Sequence, residues 1–167
     1  MLEIDIEADE EWDSSTHWSL LVRRAAEAAI AESAFPQLSQ SERPVELSVR
    51  LTGDEEVRAL NSEWRGKDKP TNVLSFPLTE AAELEDGNGD GPELMLGDIV
   101  LAHGVCEREA AEKDIPVERH AAHLLVHGTL HLLGYDHHGE DQAVDMEHRE
   151  VRALALIGIA DPYGDRG

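Results

Sequence analysis

The stretch that decides the fold is a histidine-rich segment ending in a glycine turn: His127-Gly128-Thr129-Leu130-His131-Leu132-Leu133-Gly134-Tyr135-Asp136-His137. On an α-helix, His127 and His131 lie on one face, one turn apart. Gly134 can end that helix and turn the chain, so that His137 returns toward the pair; its spacing from Gly134 favours it over His138. Three imidazoles with an open fourth position are typical of a catalytic zinc site. We therefore predict one divalent metal, preferably Zn²⁺, at His127, His131 and His137.

The spacing of these histidines is similar to the metzincin pattern of zinc proteases, His-x-x-x-His-x-x-Gly-x-x-His. Those enzymes carry a glutamate directly after the first histidine, where it acts as the general base. In this chain the position is occupied by Gly128, which cannot transfer a proton. The segment therefore predicts a metal site without the base of a protease.

Other residues compete for roles around the metal. His123 lies one turn before His127, but His123 and His131 would be about 12 Å apart on a straight helix. Because zinc–nitrogen bonds are only about 2 Å long, one ion cannot bind both, and we expect His123 in the core, behind the ligands or near the substrate. Asp136 could orient a ligand histidine or cap the turn, and both roles stay open. The remaining histidines lack a partner at ligand spacing and are expected to be surface or capping residues: His17, His103, His120 and His148.

The composition is that of an acidic chain with a single domain. Its 167 residues include 14 Lys+Arg and 36 Asp+Glu, for a net charge of −22. This charge argues against nucleic-acid binding by a broad basic face, although a local basic site is still possible. Cys106 is the only cysteine, so we exclude an intramolecular disulfide and a thiolate zinc site, and expect a buried thiol. The chain has no signal-peptide pattern and no membrane-spanning run, which predicts a soluble cytoplasmic protein without membrane contact.

Hydrophobic periodicity predicts an α/β (α+β) domain over residues 1–160, with a mixed sheet and the metal-binding helix packed on it, followed by a tail at 161–167. The predicted strands are Leu2–Ile6, Val45–Leu51, Thr71–Phe76 and Leu94–Ala102, the last interrupted at Gly97-Asp98. The predicted helices are His17–Ala34, one from Thr52 or Asp54 to Gly66, Ala102–Lys113, Glu118–Leu133 and Glu140–Leu156. Residues 79–93 are predicted to form an acidic loop. Its segment Asp86–Gly91 is similar to the start of an EF-hand, but Gly97 stands where that motif needs glutamate, so a solvated loop is preferred.

Three stretches of the chain carry a resemblance to one family. The first is the histidine segment, and the second is Leu96-Gly97-Asp98-Ile99. The third is Leu60-Asn61-Ser62-Glu63-Trp64-Arg65-Gly66-Lys67-Asp68-Lys69-Pro70-Thr71-Asn72-Val73-Leu74-Ser75-Phe76-Pro77. Together they resemble the YbeY family of single-strand-specific endoribonucleases, the bacterial rRNA maturation factors, with that family's Gly-Asp-Ile strand, its arginine, its Lys-Asp pair and its Leu-Ser-Phe-Pro run. The resemblance extends from about Val45 to Arg152. One departure is Asn72, where the family commonly has aspartate.

The resemblance implies a metzincin-like α/β sandwich with a mixed sheet and zinc at the three histidines. It implies a metal-dependent endoribonuclease that acts on single-stranded 16S rRNA precursor, in 3′-end maturation and ribosome quality control, with proteins of the small ribosomal subunit as partners. Arg65 corresponds to the family's functionally important arginine and would bind the scissile phosphate. Lys67 and Lys69 would guide the RNA strand, or belong to a solvated turn.

Alternatives from other functional classes stay open at this stage. One is another metal-dependent hydrolase, similar to a peptidase, whose base comes from elsewhere in the chain. The other is a noncatalytic ribosome-assembly factor in which the metal only stabilises the fold. For Arg65, the alternative is a structural ion pair at the end of a helix.

Overall fold

The computed structural model describes residues 2–12, 16–40, 43–79, 84, 93–136 and 139–163. Within them the strands are β1 (Leu2–Ala8), β2 (Val45–Thr52), β3 (Val73–Pro77) and β4 (Leu94–Ala102). The helices are α1 (Trp18–Ala31), α2 (Asp54–Arg65), α3 (His103–Lys113), α4 (Val117–Leu132) and α5 (Glu140–Leu156), and a 3-10 turn spans Pro36–Ser39. The predicted features that fall outside these residues are His137 with its rival His138, most of the acidic loop at 79–93, the EF-hand-like segment Asp86–Gly91, and residues 164–167 of the predicted tail.

The four strands form one mixed sheet in the order β1-β2-β4-β3. β1, β2 and β4 are parallel, and β3 runs antiparallel to β4 at one edge. Strand β2 shows why the alternating pattern predicts a strand, since Val45, Leu47, Val49 and Leu51 are buried while the residues between them are less so. The predicted α/β class with a mixed sheet is confirmed.

Helices cover both faces of the sheet. Helix α4 packs on β3 and β4, and it contacts α1, α3 and α5. This side holds the larger core, which includes Leu125, Val126 and Leu130 of α4. On the other face α2 packs over β4, where Val57 contacts a smaller core of Leu74, Val100 and Ala102. The helix that carries His127 and His131 is therefore packed on the sheet, as predicted.

Strand β4 is continuous, so the prediction of an interruption at Gly97-Asp98 is wrong. The chain instead keeps its hydrogen bonds by shifting register: Glu46 pairs with Met95, and Leu47 pairs with Gly97. Gly97 has φ +140°, and a Cβ there would collide with the carbonyl oxygen of Phe76 and lie 2.9 Å from Cδ2 of Leu132. The glycine therefore allows the end of α4 to approach the β3–β4 edge closely.

Two predictions from composition can be compared with the structure. Cys106 is buried, as expected, and burial raises the pKa of its thiol to about 12. Among the described helices, none is long and apolar enough to span a membrane.

Candidate metal centre

The end of helix α4 is built by a glycine turn. Gly134 has φ +94°, and its N–H donates to the carbonyl of His131 at 3.0 Å. The N–H of Tyr135 donates to the carbonyl of Leu130, also at 3.0 Å, which completes a Schellman motif. The prediction that Gly134 ends the helix and turns the chain is confirmed. Just beyond this turn, the hydroxyl of Tyr135 accepts a hydrogen bond from the N–H of Ala34 at 2.9 Å.

His127 and His131 face each other across one turn of α4. Their Nε2 atoms are 3.0 Å apart, and both side chains line a cavity of about 630 Å³. Two nitrogens bound to one tetrahedral zinc are roughly 3.3 Å apart, so this separation fits two ligands of a single ion. The other residues that line the cavity come from α2, β3 and the glycine turn: Arg65, Asn72, Val73, Ser75, Pro77, Gly134, Tyr135 and Asp136.

A buried carboxylate fixes the tautomer of the neutral His127 ring. Oε2 of Glu150 is 3.1 Å from Nδ1 of His127, and a carboxylate of this kind can only accept a hydrogen bond. In neutral His127 the proton is therefore on Nδ1, and the lone pair of Nε2 points toward His131. This is the tautomer that a metal ligand requires, with the carboxylate behind the imidazole. Within the described residues no group of three ligands comes together, and His137, the predicted third ligand, lies outside them.

Glu150 is the residue that sequence reasoning missed. It is buried, and its Oε1 accepts hydrogen bonds from Nε2 of His123 and from the hydroxyl of Tyr163, each at 2.7 Å. Burial alone would raise the pKa of Glu150, but the hydrogen bonds from His123, His127 and Tyr163 together lower it to about 2. A signal was present in the sequence, because Glu150 occupies the apolar face of α5 between the buried Met146 and Ala153.

These contacts also clarify two other predictions. His123 lies behind the ligand pair, bonded to Glu150, which is one of the places expected for it. Tyr163 belongs to the segment predicted as a tail, but its hydroxyl reaches the buried carboxylate.

His120 corrects a prediction, because it is neither a surface nor a capping residue. It is only 2% exposed, and its Nε2 is 2.8 Å from Oε1 of Glu109 on α3. Burial lowers the pKa of His120, which keeps the ring neutral with its proton on the nitrogen that faces Glu109. Among the residues that the structure describes, neither its Nδ1 nor that of His123 has a hydrogen-bond partner, although both atoms are buried.

Arg65 ends α2 at the rim of the cavity. Gly66 follows in the left-handed conformation, φ 69°, and turns the chain away from the helix. Arg65 is exposed and forms no ion pair with any residue that the structure describes, in contrast to Arg58, which binds Asp68 at 2.9 Å. The reading of Arg65 as a structural ion pair is therefore not supported within the described chain.

The two lysines of the basic cluster are placed differently from Arg65. Lys67 and Lys69 are exposed on the turn after α2, and neither belongs to the lining of the cavity. The turn itself is fixed through its backbone, because the side-chain amide of Asn61 donates to the carbonyl of Lys69 at 2.8 Å. The structure thus brings Arg65 to the histidine pair but not the two lysines.

Gly128 lies where helix and sheet come closest. A Cβ at this position would be 3.1 Å from Cγ2 of Ile99 and 3.2 Å from Oγ of Ser75. Both distances are shorter than ordinary van der Waals contact. The position that carries the base in proteases is therefore used here for close packing of α4 against β3 and β4.

The fold and the site define an α/β protein with a helix-borne histidine pair and an arginine in one cleft. A solved structure with a similar fold is the solution structure of TM1509 from Thermotoga maritima, with a TM-score of 0.54 and 24% identity, covering 93% of this chain and 91% of that one. At this identity the likeness concerns the fold alone.

Sequence comparison identifies the family. The sequence model of the Endoribonuclease YbeY family matches residues 4–158. Endoribonuclease YbeY of Rhizorhabdus wittichii is 50% identical over 164 residues, which cover 98% of this chain and 97% of the relative. Endoribonuclease YbeY of Novosphingobium aromaticivorans is 54% identical over 165 residues, which cover 98% and 95%. This chain belongs to the endoribonuclease YbeY family.

Proposed function

We propose that this protein is a metal-dependent endoribonuclease that cleaves single-stranded RNA, with the 16S rRNA precursor as its substrate in 3′-end maturation and ribosome quality control. The observation that carries the proposal is the presence of Arg65 in the same cavity as the His127–His131 pair. A cation beside a metal site suits a phosphodiester better than a neutral peptide bond, because charge grows on the phosphoryl oxygens in the transition state. Membership of the family supports the same reaction.

Each residue has a role that follows from its surroundings. His127, His131 and, by proposal, His137 bind one divalent ion, preferably Zn²⁺. Such an ion supplies Lewis acidity, which activates water and polarises a phosphoryl oxygen. Glu150 holds the ring of His127 in position and keeps its proton on Nδ1.

Arg65 acts on the substrate. Its guanidinium can bind two phosphate oxygens at once, and its position at the rim leaves it available to a strand that enters the cleft. Lys67 and Lys69, which are exposed on the adjacent turn, would attract the strand further from the reacting phosphate. With a net charge of −22, we expect the protein to bind free RNA weakly and with strong dependence on salt. Small-subunit proteins that present the RNA would offset this repulsion, and a cytoplasmic location follows from such partners.

The test combines metal analysis with cleavage assays on the wild type, Arg65→Ala and Arg24→Ala. Arg24 is an exposed arginine on α1, away from the cavity, so its variant controls for the loss of one positive charge. We expect all three proteins to contain equal metal, and only Arg65→Ala to lose cleavage of single-stranded RNA. Loss of metal from Arg65→Ala would show a structural role.

Two further results would overturn the proposal as a whole. Cleavage of an unstructured peptide but not of RNA would favour a peptidase. No cleavage of either by metal-replete wild type, together with unfolding by a chelator, would favour a noncatalytic assembly factor.

A further inference from the structure

A second cavity adjoins the metal centre. It has a volume of about 260 Å³ and shares Asn72, Val73 and His127 with the larger cleft. These three residues border both spaces, so a ligand that extends past them from the cleft would reach the second cavity. We call this space, which is lined by residues of α3 and α4, by Asn72 and Val73 and by Tyr163, the side cavity.

The chemistry of the side cavity differs from that of the cleft. Its walls include Glu109, Glu112 and Lys113 of α3, which give two carboxylates and one ammonium group, whereas in the cleft Arg65 is balanced by Asp136. A phosphate would be repelled by this excess of negative charge. Neutral groups with N–H or O–H donors would instead find acceptors, and in RNA such groups belong to the bases and to the ribose 2′-hydroxyl.

Glu109 is the best-placed acceptor. Its Oε1 receives two hydrogen bonds, from Nδ2 of Asn72 at 3.0 Å and from Nε2 of His120 at 2.8 Å. Within the described residues its other oxygen, Oε2, receives none, and about a third of the side chain is exposed. One oxygen therefore fixes the carboxylate while the other is available to a ligand.

Asn72 is suited to this arrangement. Its Oδ1 accepts from the N–H of Val73 at 2.7 Å, and its Nδ2 donates to Glu109. An aspartate at this position could not donate and would place a second negative charge beside Glu109. In this chain the amide therefore supports the carboxylate at the junction of the two cavities.

Aromatic rings complete the side cavity. His123 and Tyr163 both line it, with ring centroids 5.4 Å apart in an edge-to-face arrangement. Aromatic side chains that line such a space offer apolar contact to a base without selecting among bases.

We propose that the side cavity is a nucleotide subsite, in which Glu109 accepts a hydrogen bond from the base or ribose of the nucleotide next to the scissile phosphate. The proposal rests on the proposed function. It adds a group that holds the RNA strand in the side cavity, which borders His127 but not His131. Glu109 is thus a substrate-binding residue and not one of the proposed metal ligands.

The experiment compares Glu109→Gln with a matched control, Glu107→Gln. Glutamine keeps an oxygen for Asn72 and His120 and replaces only the available oxygen by an amide that donates. Glu107 lies on the same helix but contacts His103, outside the side cavity. Both variants lose one negative charge, which by itself tightens RNA binding slightly. A weaker affinity in Glu109→Gln alone therefore reports a lost contact.

The readout is the binding of a short single-stranded RNA, measured by fluorescence anisotropy at low salt. We expect Glu109→Gln to bind about tenfold more weakly than the wild type and Glu107→Gln, with the same melting temperature and metal content. Probes with one 2′-deoxy nucleotide, or with one base lacking its donor group, identify the contacted part. The wild type should bind the probe that lacks the contacted group about tenfold more weakly than the unmodified RNA. Glu109→Gln should bind that probe and the unmodified RNA equally well.

The outcomes separate this proposal from the proposed function. Equal affinity of the wild type and Glu109→Gln for every probe would overturn the subsite, whether or not RNA is cleaved. Equal losses in both variants would also overturn it, because the effect would not depend on the side cavity. If the metal-loaded wild type leaves RNA intact, the proposed function fails, and the binding comparison still decides whether the side cavity holds a nucleotide.

Discussion

Helix α4 carries two pairs of histidines, three and four residues apart, that have different surroundings. In the N-terminal pair, His120 and His123 are 2% and 8% exposed, and each is bonded to a carboxylate on another helix. In the C-terminal pair, His127 and His131 direct their Nε2 atoms toward each other in an open cleft. The two pairs differ in burial and in the ring nitrogen that faces the carboxylate. In His120 and His123 this nitrogen is Nε2, whereas in His127 it is Nδ1, so that Nε2 of His127 stays directed toward His131 in the cleft.

Glu150 connects the two pairs, because its oxygens contact His123 on one side and His127 on the other. It is buried beside His123, and it also orients the ring of the proposed metal ligand His127. Variants of the four histidines and their carboxylates should separate effects on metal binding from effects on stability.

The largest effect is expected from His131→Ala. Removing one of the proposed ligands should lower RNA cleavage by about a thousandfold or more, with loss of bound metal, because the remaining imidazoles cannot hold the ion. The fold should persist, since alanine is a good helix former. Metal content by mass spectrometry and a cleavage assay measure the two effects. His148→Ala, which changes an exposed histidine of α5, is the control. Full metal content and full cleavage in His131→Ala would show that the C-terminal pair does not bind the metal.

A smaller effect on the same property is expected from Glu150→Gln. The amide keeps the shape of the side chain but loses the negative charge that makes His127 a better ligand, so metal affinity should fall about tenfold. Competition with a chromogenic chelator measures this affinity. Glu140→Gln, in the exposed first turn of α5, serves as the matched control. If Glu150→Gln binds metal as tightly as the wild type, the carboxylate has only a structural role.

The N-terminal pair should affect stability rather than metal binding. His120→Ala removes the hydrogen bond to Glu109 and part of the packing of α4 on α3, so the free energy of unfolding should fall by about 1–3 kcal/mol. His120→Gln, which can still donate from its amide, should recover part of the loss. Urea unfolding measures the stability, and metal content should stay equal to that of the wild type. Loss of metal from His120→Ala would mean that the two pairs act as one unit.

The features that local patterns predict are those made by neighbours in sequence. The strands followed from alternation, and the end of α4 followed from Gly134, whose turn is closed by residues no more than five positions apart. The pair of His127 and His131 was predicted from its spacing and Arg65 from a resemblance, and the structure places these three residues in one cavity. His137 stays a prediction, because it lies outside the described residues.

The features that were missed depend on contacts between distant segments. Glu150 is 27 residues from His123 and 23 from His127, and Tyr163 is 40 residues from His123. His120 was expected to be a surface or capping residue because it was not assigned a partner at ligand spacing, but its partner, Glu109, is 11 residues away on another helix. Such pairs depend on how α3, α4 and α5 are packed, which periodicity within one helix does not reveal.

The smallest effect is expected from alkylation of Cys106, which tests whether solvent reaches the contact between α3 and the N-terminal part of α4. Cys106 of α3 is fully buried, with its Sγ 4.0 Å from the carbonyl of Asn72, and burial raises the pKa of its thiol to about 12. At pH 8 only about one thiol in ten thousand is then ionised, so iodoacetamide should not label the native protein but should label it in urea. The raised pKa has a further consequence for stability. Because the folded state favours the protonated thiol, this contribution is complete below the ordinary thiol pKa of 9.0 and is lost as the pH rises toward 12. Mass spectrometry after timed alkylation measures the reaction. Rapid labelling at pH 8 without denaturant would show that α3 separates from α4, so that the N-terminal histidine pair is accessible to solvent.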